Sequence, residues 1–167
     1  ECEPLEQYRR INVKASIKLA RIAAAHGVKR FVFISSIGVN GNRTTRPFKA
    51  GDPPAPVAPY GVSKLEAETG LRSVSDETGL ELVVIRPTLV YGPCAPGNFG
   101  RLVKAVRSGI PLPFAAVKNR RSLLALQNLV DLIIICIHHP AAPGQVFLAA
   151  DGEDISTPGL IRKLGRA

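Results

Sequence analysis

Apolar residues recur with two different periods along these 167 residues, and the alternation between them predicts the fold. Leu5, Tyr8, Ile11, Ala15, Leu19, Ile22 and Ala23 fall mostly on one stripe at helical spacing, which predicts a helix over 5–26. His26-Gly27 closes it, Gly27 being suited to the left-handed residue that follows a helix. A nearly continuous apolar run, RFVFIS at 30–35, has the pattern of a parallel strand buried on both faces. Residues 37–59 are rich in Gly, Pro, Asn and Arg and read as a long loop, a length that in compact domains usually marks function. A helix is expected from about Pro59 to Gly70 or beyond, then Gly79, then a strand over 82–86. The stretch RPTLVYGPCAPGN reads as irregular, and Asn98 is placed to cap a helix through about Ser108. Short strands are expected at Leu112–Ala116 and Ser122–Leu126, a strongly apolar helix at 128–139 and a strand at 145–149. Ser156 or Thr157 caps a last helix with Pro158 in its first turn. Strands alternating with helices predict an α/β fold with a parallel sheet, whose ligands sit at the carboxyl ends of strands. Ser35-Ser36 and Arg86-Pro87-Thr88 occupy such ends, so Ser36, Tyr60 and Thr88 are expected to converge on one crevice.

The chemistry of that crevice is read from YGVSK. Tyr60 and Lys64 stand four residues apart and share one helix face. A phenol is a poor base at neutral pH, and a nearby ammonium is expected to lower its pKa. A serine hydroxyl brought beside it, Ser36, can hold a substrate oxygen while a proton moves. This is what moving a proton off or onto an alcohol requires while a hydride moves on the same carbon.

Composition narrows the partners. The length suits a single domain with a real core. LVDLIIICI at 129–137 is too short for a membrane span and carries Asp131, and the polar opening ECEPLEQYRR is no secretory signal. Cys2, Cys94 and Cys136 are far apart and form no zinc spacing, so a reducing cytoplasm is expected and no metal. His26, His138 and His139 read as helix ends rather than ligands. The net charge of +9 allows anionic partners, but the basic residues are scattered and carry no nucleic-acid signature, which leaves a phosphate-bearing small substrate.

With these residues in order, the chain resembles the extended short-chain dehydrogenase/reductase superfamily, in its NAD-dependent nucleotide-sugar epimerase/dehydratase branch. INVKASIKLARIAAAHGVKRFVFISSIGVNG looks like the family's Asn-bearing helix, central strand and serine loop. PYGVSKLEAE looks like its Tyr-Lys helix, VVIRPTLVYGPCAPGN its next strand and substrate loop, and NRRSLLALQNLVDLI its arginine-bearing strand and following helix. The resemblance implies a partial Rossmann-like doubly wound sheet. Residues 1–92 would be the second half of the dinucleotide-binding domain, and 93–167 a substrate-binding portion whose strand 145–149 returns to the main sheet. It implies Tyr60 as general acid/base, Lys64 on the nicotinamide ribose, Ser36 on the reacting oxygen and Asn12 fixing the geometry. Backbone at Pro87-Thr88 would face the nicotinamide of NAD (or NADP). Asn98 and Arg121, or Arg120 in its place, would meet the nucleotide diphosphate sugar.

The family's dehydratases carry Asp-Glu directly after the Ser/Thr. Ile37-Gly38 stand there, so the resemblance implies reversible oxidation at a sugar carbon, an epimerase or else a ketoreductase. A catalytically dead binding module is the reading from another class. No G-x-x-G-x-x-G or G-x-G-x-x-G occurs, so the family's pyrophosphate loop is expected to be absent and NAD binding by these residues alone weak. The resemblance also implies a homodimer through helices 5–26 and 60–77. The strand at 30–35 is expected to lie on an open edge.

Overall fold

The computed structural model describes residues 4–93, 95, 97–109, 112–114 and 116–166. They divide into two compact units, Glu1–Pro87 with Asp131–Ala149, and Thr88–Val130 with Ala150–Ala167.

In the first unit the stripe over 5–26 forms a helical run in three parts: α1 (Pro4–Tyr8), a π-helical segment Arg9–Ala15, and α2 (Ser16–Ala25). Gly27 follows at φ +75°, the left-handed conformation expected of it. β1 (Arg30–Ile34), β2 (Glu81–Pro87) and β5 (Val146–Ala149) form a parallel sheet in the order β1-β2-β5. β2 is the central strand and is buried from Leu82 to Pro87, as a run with apolar side chains on both faces requires. Ile34 pairs with Ile85 and Pro87 with Ala149, so the three strands end on one edge. α3 (Pro59–Thr78) has Pro59 in its first turn and stops at Gly79, φ +73°. It lays Ala67, Leu71 and Val74 against Ala20 of α2 and against Phe33, Leu82 and Val84 of the sheet. Full burial of a side chain such as Leu71 is worth roughly 2 kcal/mol.

The second unit holds a small sheet in the order β3-β4-β6: β3 (Leu89–Tyr91) parallel to β4 (Arg121–Ala125), and β6 (Asp154–Ile155) antiparallel to β4. α4 (Gly97–Arg107) and α6 (Thr157–Leu164) belong to it. α5 (Leu126–His138) follows β4 directly. Asp151 stands at the start of that helix, accepting from the Ala125 N–H, from Asn128 and from the Tyr91 hydroxyl. Among the described residues no helix is long and apolar enough to cross a membrane.

Three local expectations are corrected. Leu112–Phe114 do not form a strand, and the rest of that stretch lies partly outside the described residues. The segment after β2 is not wholly irregular, because Leu89–Tyr91 finds a partner in β4. α4 begins at Gly97, so Asn98 lies inside the helix rather than capping it. Ser156, by contrast, caps α6 through its hydroxyl oxygen, which accepts from the Gly159 N–H at 3.1 Å.

Candidate active site

The carboxyl end of β1 turns sharply. Ser36 is extended, and its Oγ accepts the Gly38 N–H at 3.1 Å, capping a single 3₁₀ turn at Ile37–Val39. The first turn of α3 rests directly on that turn. A Cβ built on buried Gly61 would stand 2.7 Å from the Gly38 carbonyl oxygen, closer than real side chains come. Only a glycine after Tyr60 lets the helix and the serine turn approach this closely. This contact sets the backbone of the serine turn against the first turn of α3, and no hydrogen bond joins the Tyr60 and Ser36 hydroxyls among the described residues.

Asn12 sits in the middle of the π-helical segment. Its Nδ2–H donates to Ser63 Oγ at 3.0 Å, and the Ser63 hydroxyl donates to the Tyr60 carbonyl at 2.8 Å. Asn12 therefore ties the helical run to the backbone of the tyrosine. Such π-helical segments frequently occur at functional positions.

Lys64 lies one turn along from Tyr60, with its ammonium over the Tyr60 ring and hydrogen-bonded to β1. Its ammonium donates to the Ile34 carbonyl at 2.9 Å and lies 4.8 Å from the Phe33 ring centre and 5.7 Å from that of Tyr60. Burial lowers its pKa, opposed by the charge of Glu68. The expectation that the ammonium depresses the Tyr60 pKa is corrected. Desolvation, and then the nearby Tyr8, push that phenol up. The Tyr8 ring meets Tyr60 edge-on at 5.5 Å, while Tyr60 keeps 41% of its surface exposed.

Beneath these groups lies a buried polar network. Glu68 receives a bidentate Arg86 guanidinium, Nε at 2.9 Å and Nη2 at 2.6 Å, and the Ser35 hydroxyl. Arg86 also donates to Asn40 Oδ1 at 3.0 Å. All four residues are at most 3% exposed. The network joins the end of β1, the loop after it, α3 and the end of β2. Gly61, Ser63, Glu68 and Arg86 were not expected as site residues. The available signal was a carboxylate at Glu68, four residues past Lys64, interrupting the buried stripe of α3.

Pro87 ends β2 and is buried, and Thr88 follows with a buried Oγ1 that has no hydrogen-bond partner among the described residues. In the second unit Arg121 opens β4, exposed and in register with Ile155. Asn98 lies in the first turn of α4. Among the described residues no cluster of His, Cys, Asp or Glu could hold a metal ion.

A parallel-sheet edge carrying a Ser turn, a Tyr-Lys helix and an Asn behind them defines a class. The chain belongs to the NAD dependent epimerase/dehydratase family, whose model matches residues 2–150. It is 50% identical over 170 aligned residues to a UDP-glucose 4-epimerase of Vibrio cholerae, covering 100% of this chain and 52% of the relative. A crystal structure of a Thermotoga maritima UDP-glucose 4-epimerase with UDP-glucose superposes with a TM-score of 0.86 at 23% identity, over 98% of this chain and 55% of that one. A Bacillus cereus UDP-glucuronic acid 4-epimerase in complex with NAD gives 0.88 at 22%, over 99% and 55%. These likenesses establish a Rossmann-type α/β fold, of which this chain is a part. The chain spans about half the length of the relatives it matches.

Proposed function

We propose that the protein carrying this chain is an NAD-dependent nucleotide-sugar epimerase of the 4-epimerase type, acting on a UDP-hexose. The observation that carries this reading is the close approach of the Ser36 turn and the Tyr60 turn through Gly38 and Gly61. The 50% identity to a UDP-glucose 4-epimerase supports the substrate class.

Tyr60 exchanges a proton with the sugar hydroxyl, while Ser36 donates to the same oxygen through a hydroxyl hydrogen that its cap to Gly38 leaves unused. NAD, when bound, supplies the acceptor and then the donor of the hydride on that carbon. Lys64, whose ammonium stands half-buried at the end of β1, would hold the nicotinamide ribose. The unpartnered Thr88 Oγ1 is a buried polar atom of the kind a bound ligand satisfies. Asn12 positions Tyr60 through Ser63. Arg121 and Asn98 take the diphosphate of the substrate. Ile37 and Gly38, where a dehydratase would need proton-exchanging groups, support epimerisation over elimination. A homodimer through the helical run at 4–25 and α3 is part of the proposal. Ile11, Leu19 and Ile22 support it, forming one outward apolar stripe, each at least 46% exposed.

The test uses the longest in-frame product that carries residues 1–167. Incubation with UDP-glucose and NAD should yield the 4-epimer by NMR, and Tyr60→Phe should abolish turnover while UDP-glucose still binds. Net consumption of reduced nicotinamide without epimer, or full turnover by the phenylalanine variant, would overturn the reading.

A further inference from the structure

A cavity of about 500 Å³ opens in the second unit between the segment entering β4, β6 and α6. Its volume falls in the range of small-molecule sites. Its lining is unlike that of an apolar pocket, because Arg120, Arg162, Lys163 and Arg166 converge on it. Two carboxylates, Glu153 and Asp154, share the wall, leaving a net of two positive charges. Both carboxylates already have partners. Glu153 binds Lys163 at 2.8 Å, and Asp154 accepts from the Ser122 hydroxyl at 2.6 Å.

Arg120, Arg162 and Arg166 have no ion pair among the described residues. The wall keeps an excess of positive charge over its two carboxylates, and an anion among the guanidiniums offsets their mutual repulsion. Arg162 and Arg166 stand four residues apart, while Arg120 approaches from the β4 side. Side chains alternate along an extended chain, so Arg120 and Arg121 face opposite ways, and Arg121 does not line the cavity. The backbone groups at the start of α6 are already used: the Thr157 N–H goes to Asn119 and the Gly159 N–H to Ser156. Recognition would therefore come from the guanidinium forks, which match paired oxyanions in geometry.

We propose that this cavity binds a small diphosphate-bearing molecule through Arg120, Arg162 and Arg166, without Arg121. The net charge of the wall matches a diphosphate better than a monoanion. Arg120, which the resemblance offers in place of Arg121 for the substrate diphosphate, is assigned here to this cavity, and Arg162 and Arg166 take no part in the sugar-nucleotide reading.

The probe is inorganic pyrophosphate, titrated calorimetrically into the chain at low salt, with sulfate as a second ligand. Saturable binding of one pyrophosphate, tighter than sulfate, is expected. The double charge reversal R120E/R162E should weaken it at least tenfold, with circular dichroism unchanged because both side chains are exposed. A reversal at exposed Lys18, remote in sequence, should change it less than threefold. If R120E/R162E binds as the parent does, or Lys18→Glu weakens binding equally, the attraction is only net charge and the site is refuted. Loss in Arg121→Glu alone would assign the phosphate to the substrate subsite and equally overturn the proposal.

Discussion

Tyr60 is held in a setting that resists ionisation. Burial and the edge of Tyr8 act in the same direction, and the Lys64 charge is spent on the Ile34 carbonyl. A phenol raised in the folded state stays protonated at neutral pH, and whatever stability it lends is present below the unfolded pKa and lost as pH rises through the folded one. The tyrosine Cζ resonance of Tyr60 should therefore titrate above that of a free phenol, and Tyr8→Phe should bring it back toward the free value. A midpoint below the free phenol would show the lysine in control after all. Gly61 makes the complementary point. A methyl there meets backbone, the Gly38 carbonyl, which cannot swing aside as a side chain can. Gly61→Ala should cost about 1–3 kcal/mol by overpacking. It should also lower turnover of the full-length product further than stability alone accounts for, read as kcat at a temperature where the variant remains folded.

Elements meet at the Glu68–Arg86 pair, which ties β1, the following loop, α3 and β2 into one buried unit. Removing one member leaves the other charge buried and unpaired, so Glu68→Ala should cost about 3–5 kcal/mol. Replacing both by methionine leaves only the Ser35 hydroxyl and the Asn40 carbonyl oxygen to re-pair, and the loss should be clearly smaller. Urea midpoints of the single and double variants check this, and equal losses would mean the pair is not the coupling element. At this scale the sequence shows where it was readable. β1, β2 and α3 were legible because their apolar periods are set by burial against one sheet. β3 and β6 were not, because strands of three and two residues carry no period and exist only through pairing with β4. The π-helical segment hid within an apolar stripe that an ordinary helix would share. The shared helix face of Tyr60 and Lys64 was legible from their spacing, whereas Asn12 was pointed to only by the family resemblance. The direction of the Lys64 ammonium was not, since its acceptor is a strand carbonyl 30 residues away.

For the molecule as a whole, surface and charge pull in opposite directions. Among the described strands β1 pairs with β2 alone, so its other edge has no strand partner, although Lys64 occupies the Ile34 carbonyl. Ile134, Ile135 and Ile137 of α5 are each at least 46% exposed, and Arg30 ties the end of that helix to the start of β1 through the carbonyls of Cys136, Ile137 and His139. An open strand edge flanked by apolar side chains favours pairing with another copy. The net charge of +9 opposes it, and that repulsion is long-ranged only at low ionic strength, where the Debye length is about 30 Å at 0.01 M against about 8 Å at 0.15 M. Association of the chain should therefore grow with concentration and strengthen as salt is added, the reverse of an ion-paired interface. Light scattering across both variables reads it, with Ile134→Lys and Ile137→Lys together shifting the equilibrium toward monomer. A monodisperse monomer at high concentration and high salt would mean that the edge of β1 is protected by its own twist and side chains rather than by a partner.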